Sequence, residues 1–157
     1  MYKRQVPELV ERIEIAAPPQ QVWAALVDWD RQGEWMLLTD VRAGAHGGRG
    51  VGGGIRAVTG LKVPGGRRVG VADPMLFTRW EPPYRADVRH LGRVVRGTGT
   101  FEVRPSGAGS RFVWTEALDL PLGPLGRLAW PLVRRVTAFG VRLSLRRFAD
   151  FARRHPN

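Results

Sequence analysis

Apolar and polar residues follow three successive rhythms along this chain, and each rhythm predicts a different kind of element. Near the N-terminus Leu9, Val10, Ile13 and Ile15 lie among Glu11, Arg12 and Glu14, which predicts a short first strand ending before Pro18-Pro19. The two prolines suit the first turn of a helix, and Val22, Trp23, Leu26 and Val27 recur on one face of it. Asp30 is placed to cap a second short helix over about Arg31–Met36, with Trp35 turned inward. The pair forms a helix-turn-helix-like corner without a basic recognition helix.

From Thr39 to Leu120 the period becomes two, punctuated by glycine and proline clusters. Strands are predicted at about 39–45, 54–60, 67–81, 84–91, 94–104 and 110–119. Their short connections are hairpin-like, so the sheet should be antiparallel. After Pro121 the alternation stops, and a helical turn through Leu125 and Leu128 leads into a long helix predicted at about Pro131–Arg153. At 100° per residue Val133, Val136, Thr137, Gly140, Val141, Ser144, Phe148, Phe151 and Ala152 gather on one face, and Arg135, Arg142, Arg146 and Arg153 lie opposite. The apolar face must be buried, and the sheet is the only large partner. The expected fold is α+β: about seven curved antiparallel strands wrapped around a long C-terminal helix, with two short helices after the first strand. One domain is expected over residues 8–155, with residues 1–7 a poorly ordered leader.

Composition narrows the chemistry. With 157 residues, 43% of them hydrophobic, the chain can build one substantial core, and no run approaches the roughly 20 apolar residues of a bilayer span. Met1-Tyr2-Lys3-Arg4-Gln5 is not followed by a signal-like apolar segment, so a cytoplasmic location is expected. There is no cysteine, and His46, His90 and His155 lack ligand-like spacing, so neither a metal nor a cofactor is expected. The net charge of +11 is spread along the chain; without a recognition helix or exposed aromatics among basic residues, nucleic acid is not an expected partner. The arginine stripe on the long helix is either a solvated face or a transient contact for anionic lipid. The protein is expected to be a monomer or weak dimer.

Val22-Trp23-Ala24-Ala25-Leu26-Val27-Asp28-Trp29, the Trp35 corner, Arg96-Gly97-Thr98-Gly99, and Trp114-Thr115-Glu116 leading into Leu120-Pro121-Leu122-Gly123 carry a family resemblance. With the order of elements, they resemble the SRPBCC superfamily, the START-like or pollen-allergen-like helix-grip domains, in its bacterial polyketide cyclase/dehydrase branch. The resemblance spans nearly the whole chain and implies an apolar cavity between helix and sheet. Its expected occupant is a small hydrophobic, polyketide- or lipid-like molecule. Cyclase or dehydratase activity is one implied use; a lipid or quinone carrier docking on anionic membranes is the alternative.

Strand phase supplies candidate site residues. Tyr84, Ala86, Val88 and His90 share one predicted face, and Phe112, Trp114, Glu116, Leu118 and Leu120 share another, which turns His90 and Glu116 toward the cavity. As a catalytic dyad, Glu116 would orient His90 as a general base for removing an activated C–H proton. As ordinary buried polar groups, each would satisfy a neighbouring partner; a third use is ligand orientation. Asp73 is a further inward candidate, although Pro74 hints at a break in its strand. Trp35, Phe77, Tyr84, Val88, Trp114, Trp130, Val136, Gly140 and Ser144 are the other candidate ligand contacts. Gly140 and Ser144 signify either close helix–sheet contact or unfilled volume. The glycine-rich stretch from Gly44 to Gly54 lacks a phosphate-loop signature and is expected to be a mobile hairpin loop at the pocket entrance.

Overall fold

The computed structural model describes residues 7–119 and 123–156. Residues 1–6 of the expected leader, and Leu120, lie outside the described residues. Strand β1 (Glu8–Ile15) leads through Pro18 into helix α1 (Pro19–Leu26), where Val22, Trp23, Ala25 and Leu26 are buried. The second short helix is a 3-10 helix over Trp29–Glu34, two residues earlier than the expected Arg31–Met36, and its flanking Asp28, not Asp30, holds the cap position. Then come β2 (Thr39–Ala43), β3 (Gly54–Lys62), β4 (Arg68–Glu81), β5 (Arg85–Leu91), β6 (Arg96–Ser106), β7 (Gly109–Leu118) and the long helix α2 (Gly123–Arg154).

The seven strands form one antiparallel, curled sheet in the order β1-β7-β6-β5-β4-β3-β2. Strands β2 to β7 follow one another as hairpins, as their short connections require. β1 and β2, adjacent in sequence, occupy opposite edges, and α1 with the 3-10 helix makes the crossing between them. The α+β expectation and the antiparallel sheet hold.

Alternation places Ala86, Val88, Phe112, Trp114, Met75 and Phe77 in the core. Phe148 of α2 is fully buried between Trp35 and Phe112, with ring centroids 4.6 and 5.0 Å away. A second aromatic chain runs from Trp23 through Trp80 and Phe77 to Trp29. Helix α2 packs its backbone most closely against β1 and α1, and the Gln21 amide donates to the Ala152 carbonyl at 2.8 Å. Further along, Ser144 Oγ accepts the Leu37 N–H at 3.0 Å and ties the helix to the segment after the 3-10 turn. Ser144→Ala leaves that N–H without its partner, and we expect a loss of about 1 kcal/mol in urea unfolding. Unchanged stability would assign the tie no energetic weight.

Three expectations need correction. Helix α2 begins at Gly123, eight residues before the predicted start, and carries Pro131 in its interior, where the missing N–H forfeits one helical bond. Its buried face comprises Ala138, Ser144, Leu145, Phe148, Phe151 and Ala152, whereas Val133 and Val136 are exposed, because the sheet contacts only the later turns. The glycine-rich stretch is held rather than loose: Trp29 Nε1 donates to the Gly48 carbonyl at 3.1 Å, and Gly52 and Gly53 exchange backbone bonds with Phe77.

Candidate functional site

The inward faces of β4, β5 and β7 bring three ionisable side chains and one indole together. His90 Nδ1 lies 2.8 and 3.0 Å from the two Asp73 carboxylate oxygens, and its Nε2 lies 2.8 Å from Glu116 Oε2. The other Glu116 oxygen, Oε1, accepts the Trp114 Nε1–H at 2.6 Å. The row therefore runs Asp73, His90, Glu116, Trp114 across the concave face. His90 and Glu116 are each 8% exposed, and Asp73 is half-buried.

Neighbouring strands explain the Asp73 contact. Met75 pairs with His90 in the β4–β5 ladder, so Asp73 lies one inward step further along the same face. Pro74 does not break β4; a Cβ placed on Gly92 would meet its Cδ, so the proline ring sits beyond the last β4–β5 pair, where no ladder donor is needed. The irregularity in β4 falls instead between Phe77 and Arg79.

Glu116 must cross a whole strand to reach His90, because β6 lies between β5 and β7. The crossing point is Gly99, which pairs with both Val88 and Glu116. A Cβ there would stand 3.1 and 3.2 Å from the Glu116 carboxylate oxygens and 3.0 Å from Val88 Cγ2. The next inward position, Gly97, has φ +114, and a Cβ would fall 2.0 Å from the Ala117 carbonyl oxygen. The glycines of Arg96-Gly97-Thr98-Gly99 thus form a floor over which the carboxylate reaches the imidazole, a role sequence reading missed.

Burial alone would drive the imidazolium to shed its proton. Hydrogen bonds to Asp73 and Glu116 and their negative charges outweigh that effect and raise the His90 pKa from 6.5 to about 10. At neutral pH the network is a cation held between two carboxylates, and both imidazole N–H groups are committed. What remains for a ligand is acceptor capacity on carboxylate oxygens, which offer more lone pairs than the network uses.

The other candidate contacts scatter. Val88 and Trp114 are buried beside the network. Trp35 and Phe77 are core residues, each 1% exposed. Trp130 and Val136 lie in the first half of α2 and Gly140 just past its middle; Trp130 and Gly140 are half-buried and Val136 is exposed. A Cβ on Gly140 would meet only Leu37 Cδ2 at 3.9 Å, so the glycine marks space rather than close contact, while Ser144 is engaged by Leu37. Tyr84 is exposed in the turn before β5, its N–H bonded to the Glu81 carbonyl, because the strand starts one residue later than predicted. It borders a surface hollow of about 360 Å³ with Glu102 and Arg104. A larger hollow of about 570 Å³ lies between Trp23, Asp28, Trp29, Arg49 and His155. Neither hollow reaches the network. Among the described residues, no cluster of His, Asp and Glu is arranged to hold a metal ion, and no helix is long and apolar enough to cross a membrane.

Residues 7–152 match the family model described as polyketide cyclase/dehydrase and lipid transport. No curated protein matches the chain in sequence. Among solved structures, protein TTHA0849 of Thermus thermophilus superposes with a TM-score of 0.73 at 22% identity, covering 93% of this chain and 97% of that one. CV1439 of Chromobacterium violaceum gives 0.68 at 15% identity, covering 96% and 99%. StfQ, a di-domain ARO/CYC from the steffimycin biosynthetic pathway, gives 0.70 at 14% identity over 92% of this chain and 50% of its own. At these identities the likenesses speak for the fold.

Proposed function

The chain belongs to the polyketide cyclase/dehydrase and lipid transport family, and from that membership we propose that it binds a small, largely apolar molecule bearing a hydroxyl group. The hydroxyl donates to the carboxylates of Asp73 and Glu116, and the apolar body rests against the exposed edge of Trp114 and the early turns of α2. One observation carries this reading: two carboxylates are held on the concave face beside a cation that has no free N–H to offer. Such a site accepts hydrogen bonds and does not donate them. A ketone or ester without a donor gains nothing there, whereas a phenol or alcohol does.

The same chemistry bears on turnover. His90 already carries its proton at neutral pH, so the base for a cyclisation or dehydration would be a carboxylate, with His90 acting as the fixed positive charge that orients it. The fold-level likeness to the ARO/CYC StfQ keeps such turnover open to assay, and binding is the step to measure first.

Tryptophan fluorescence titration with 2-naphthol, and with naphthalene as its donorless counterpart, tests the reading. We expect saturable 2-naphthol binding, with Asp73→Asn weakening it by about tenfold or more while naphthalene is unaffected, since a hydrogen bond to a charged group contributes about 1.5–3 kcal/mol. Equal affinity for the two probes, or no saturation with either, would remove the carboxylates from ligand recognition.

A further inference from the structure

We propose that the outward face of α2, from Leu125 to Leu143, is a docking surface for an anionic lipid bilayer. Leu125, Leu128, Leu132, Val136 and Phe139 are between 64% and 81% exposed, and Leu143 continues the row half-buried. At 100° per residue these six fall within about 80° of one another, along roughly 27 Å of helix. Their stripe points about 180° away from the centre of the face that α2 buries with Ala138, Ser144, Leu145, Phe148, Phe151 and Ala152. A stripe on that side cannot line the space between helix and sheet, so the occupant comes from outside the domain.

Charge selects the occupant. From Gly123 to Ala149 the chain has six arginines and no Asp or Glu, and the whole protein carries +11. Arg135 and Arg146 flank the stripe on one side and Arg147 on the other, all exposed; Arg142 is exposed too and pairs with Glu11 of β1. A second copy seated on the stripe would set arginine against arginine, since neither helix carries an acid between Gly123 and Ala149 to offset them and Asp150, beyond the stripe, is paired with Arg153. Anionic headgroups with an acyl boundary beneath offer what the helix lacks: negative charge at the level of the guanidinium groups and apolar depth for leucine and phenylalanine. Long arginine stems also let the charge rise to the headgroups while the apolar row sinks. The surface lies on the opposite side of the helix from the ligand-facing side, so the proposal stands independently of the ligand reading.

Co-sedimentation of the intact chain with phosphatidylcholine vesicles, and with vesicles of phosphatidylcholine mixed with phosphatidylglycerol, tests the docking. At low salt we expect at least about tenfold stronger partition into the mixed vesicles, and loss of that preference at high salt, since each cation near such a surface is worth about fivefold. The double variant Leu132→Glu, Phe139→Glu should reduce binding to the level seen with phosphatidylcholine alone while leaving the circular dichroism unchanged, because both side chains are exposed. Arg135→Gln with Arg146→Gln, which spares the stripe, should weaken binding by about tenfold or more. Equal partition into both vesicle types would overturn the proposal. So would binding that the glutamates do not reduce. Self-association in sedimentation velocity that the glutamates abolish, without vesicle binding, would assign the face to a second copy and equally overturn it.

Discussion

Replacing His90 by Ala is expected to lower the unfolding free energy by about 3–5 kcal/mol at neutral pH, because it removes the cation held between the buried Glu116 and the half-buried Asp73 carboxylates. Asp73 and Glu116 would be left on the concave face with their negative charges unopposed and the imidazole hydrogen bonds gone. The wild-type protein should also lose stability as pH rises. His90 is raised from 6.5 to about 10 in the folded chain, so between these values the folded state holds a proton that the unfolded state has released. The contribution is complete below about pH 6.5 and is lost as pH climbs toward 10, on the order of a few kcal/mol. Urea unfolding across that range should show a steady fall for the wild type and a flatter profile for His90→Gln. Parallel profiles would mean that the imidazole is not held as a cation.

Gly99→Leu is the second change expected to act strongly. The new side chain must occupy the place where the Glu116 carboxylate passes over β6, with Val88 closing the other side. Overpacking of this kind costs about 1–3 kcal/mol in a filled core, and here it also breaks a buried ionic bond, so a loss of about 3 kcal/mol or more is expected. In NMR titration the His90 pKa should fall toward its ordinary value, since one of the two carboxylates that raise it would be displaced. Gly140→Leu provides the contrast: nothing lies closer than 3.9 Å to its added Cβ, and a leucine suits the helix better than a glycine, so stability should hold. Equal losses at the two positions would show that the crowding at Gly99 is not specific to the carboxylate.

Period-two alternation reported inward faces well, because a strand's phase is a local property. It placed Ala86, Val88 and His90 on one face and Phe112, Trp114 and Glu116 on another, as observed. It could not report that Glu116 and His90 meet, since that depends on β6 lying between their strands. The pair of inward glycines at 97 and 99 was the available signal, and it is ambiguous without strand order. The phase of Tyr84 failed because alternation was extended one residue into a turn. For α2, helical periodicity found a stripe on Gly140, Ser144 and Phe148 but could not say how far along the helix the sheet reaches. Two apolar stripes exist, one on each side of α2, and the sequence does not mark which is buried. The resemblance to the family, resting on markers such as the tryptophan-bearing α1 and Arg96-Gly97-Thr98-Gly99, carried further than any single element did.

The placement of β1 and β2 at opposite edges also has a kinetic side. Glu8 pairs with Ala117 and Ile15 with Ser110, and the Ser110 hydroxyl donates to the Ala17 carbonyl at 2.7 Å. β1 therefore leaves the ribosome well before its partner, which is synthesised after the five other described strands. Local hairpins from β2 to β7 can zip in sequence while β1 stays unpaired, and loop-closure entropy delays its docking to the end. Until then β7 presents an open edge of unpaired backbone groups. Chaperone capture and off-pathway edge pairing would concentrate on that interval, and truncation within β7 would leave the first strand with no neighbour to join.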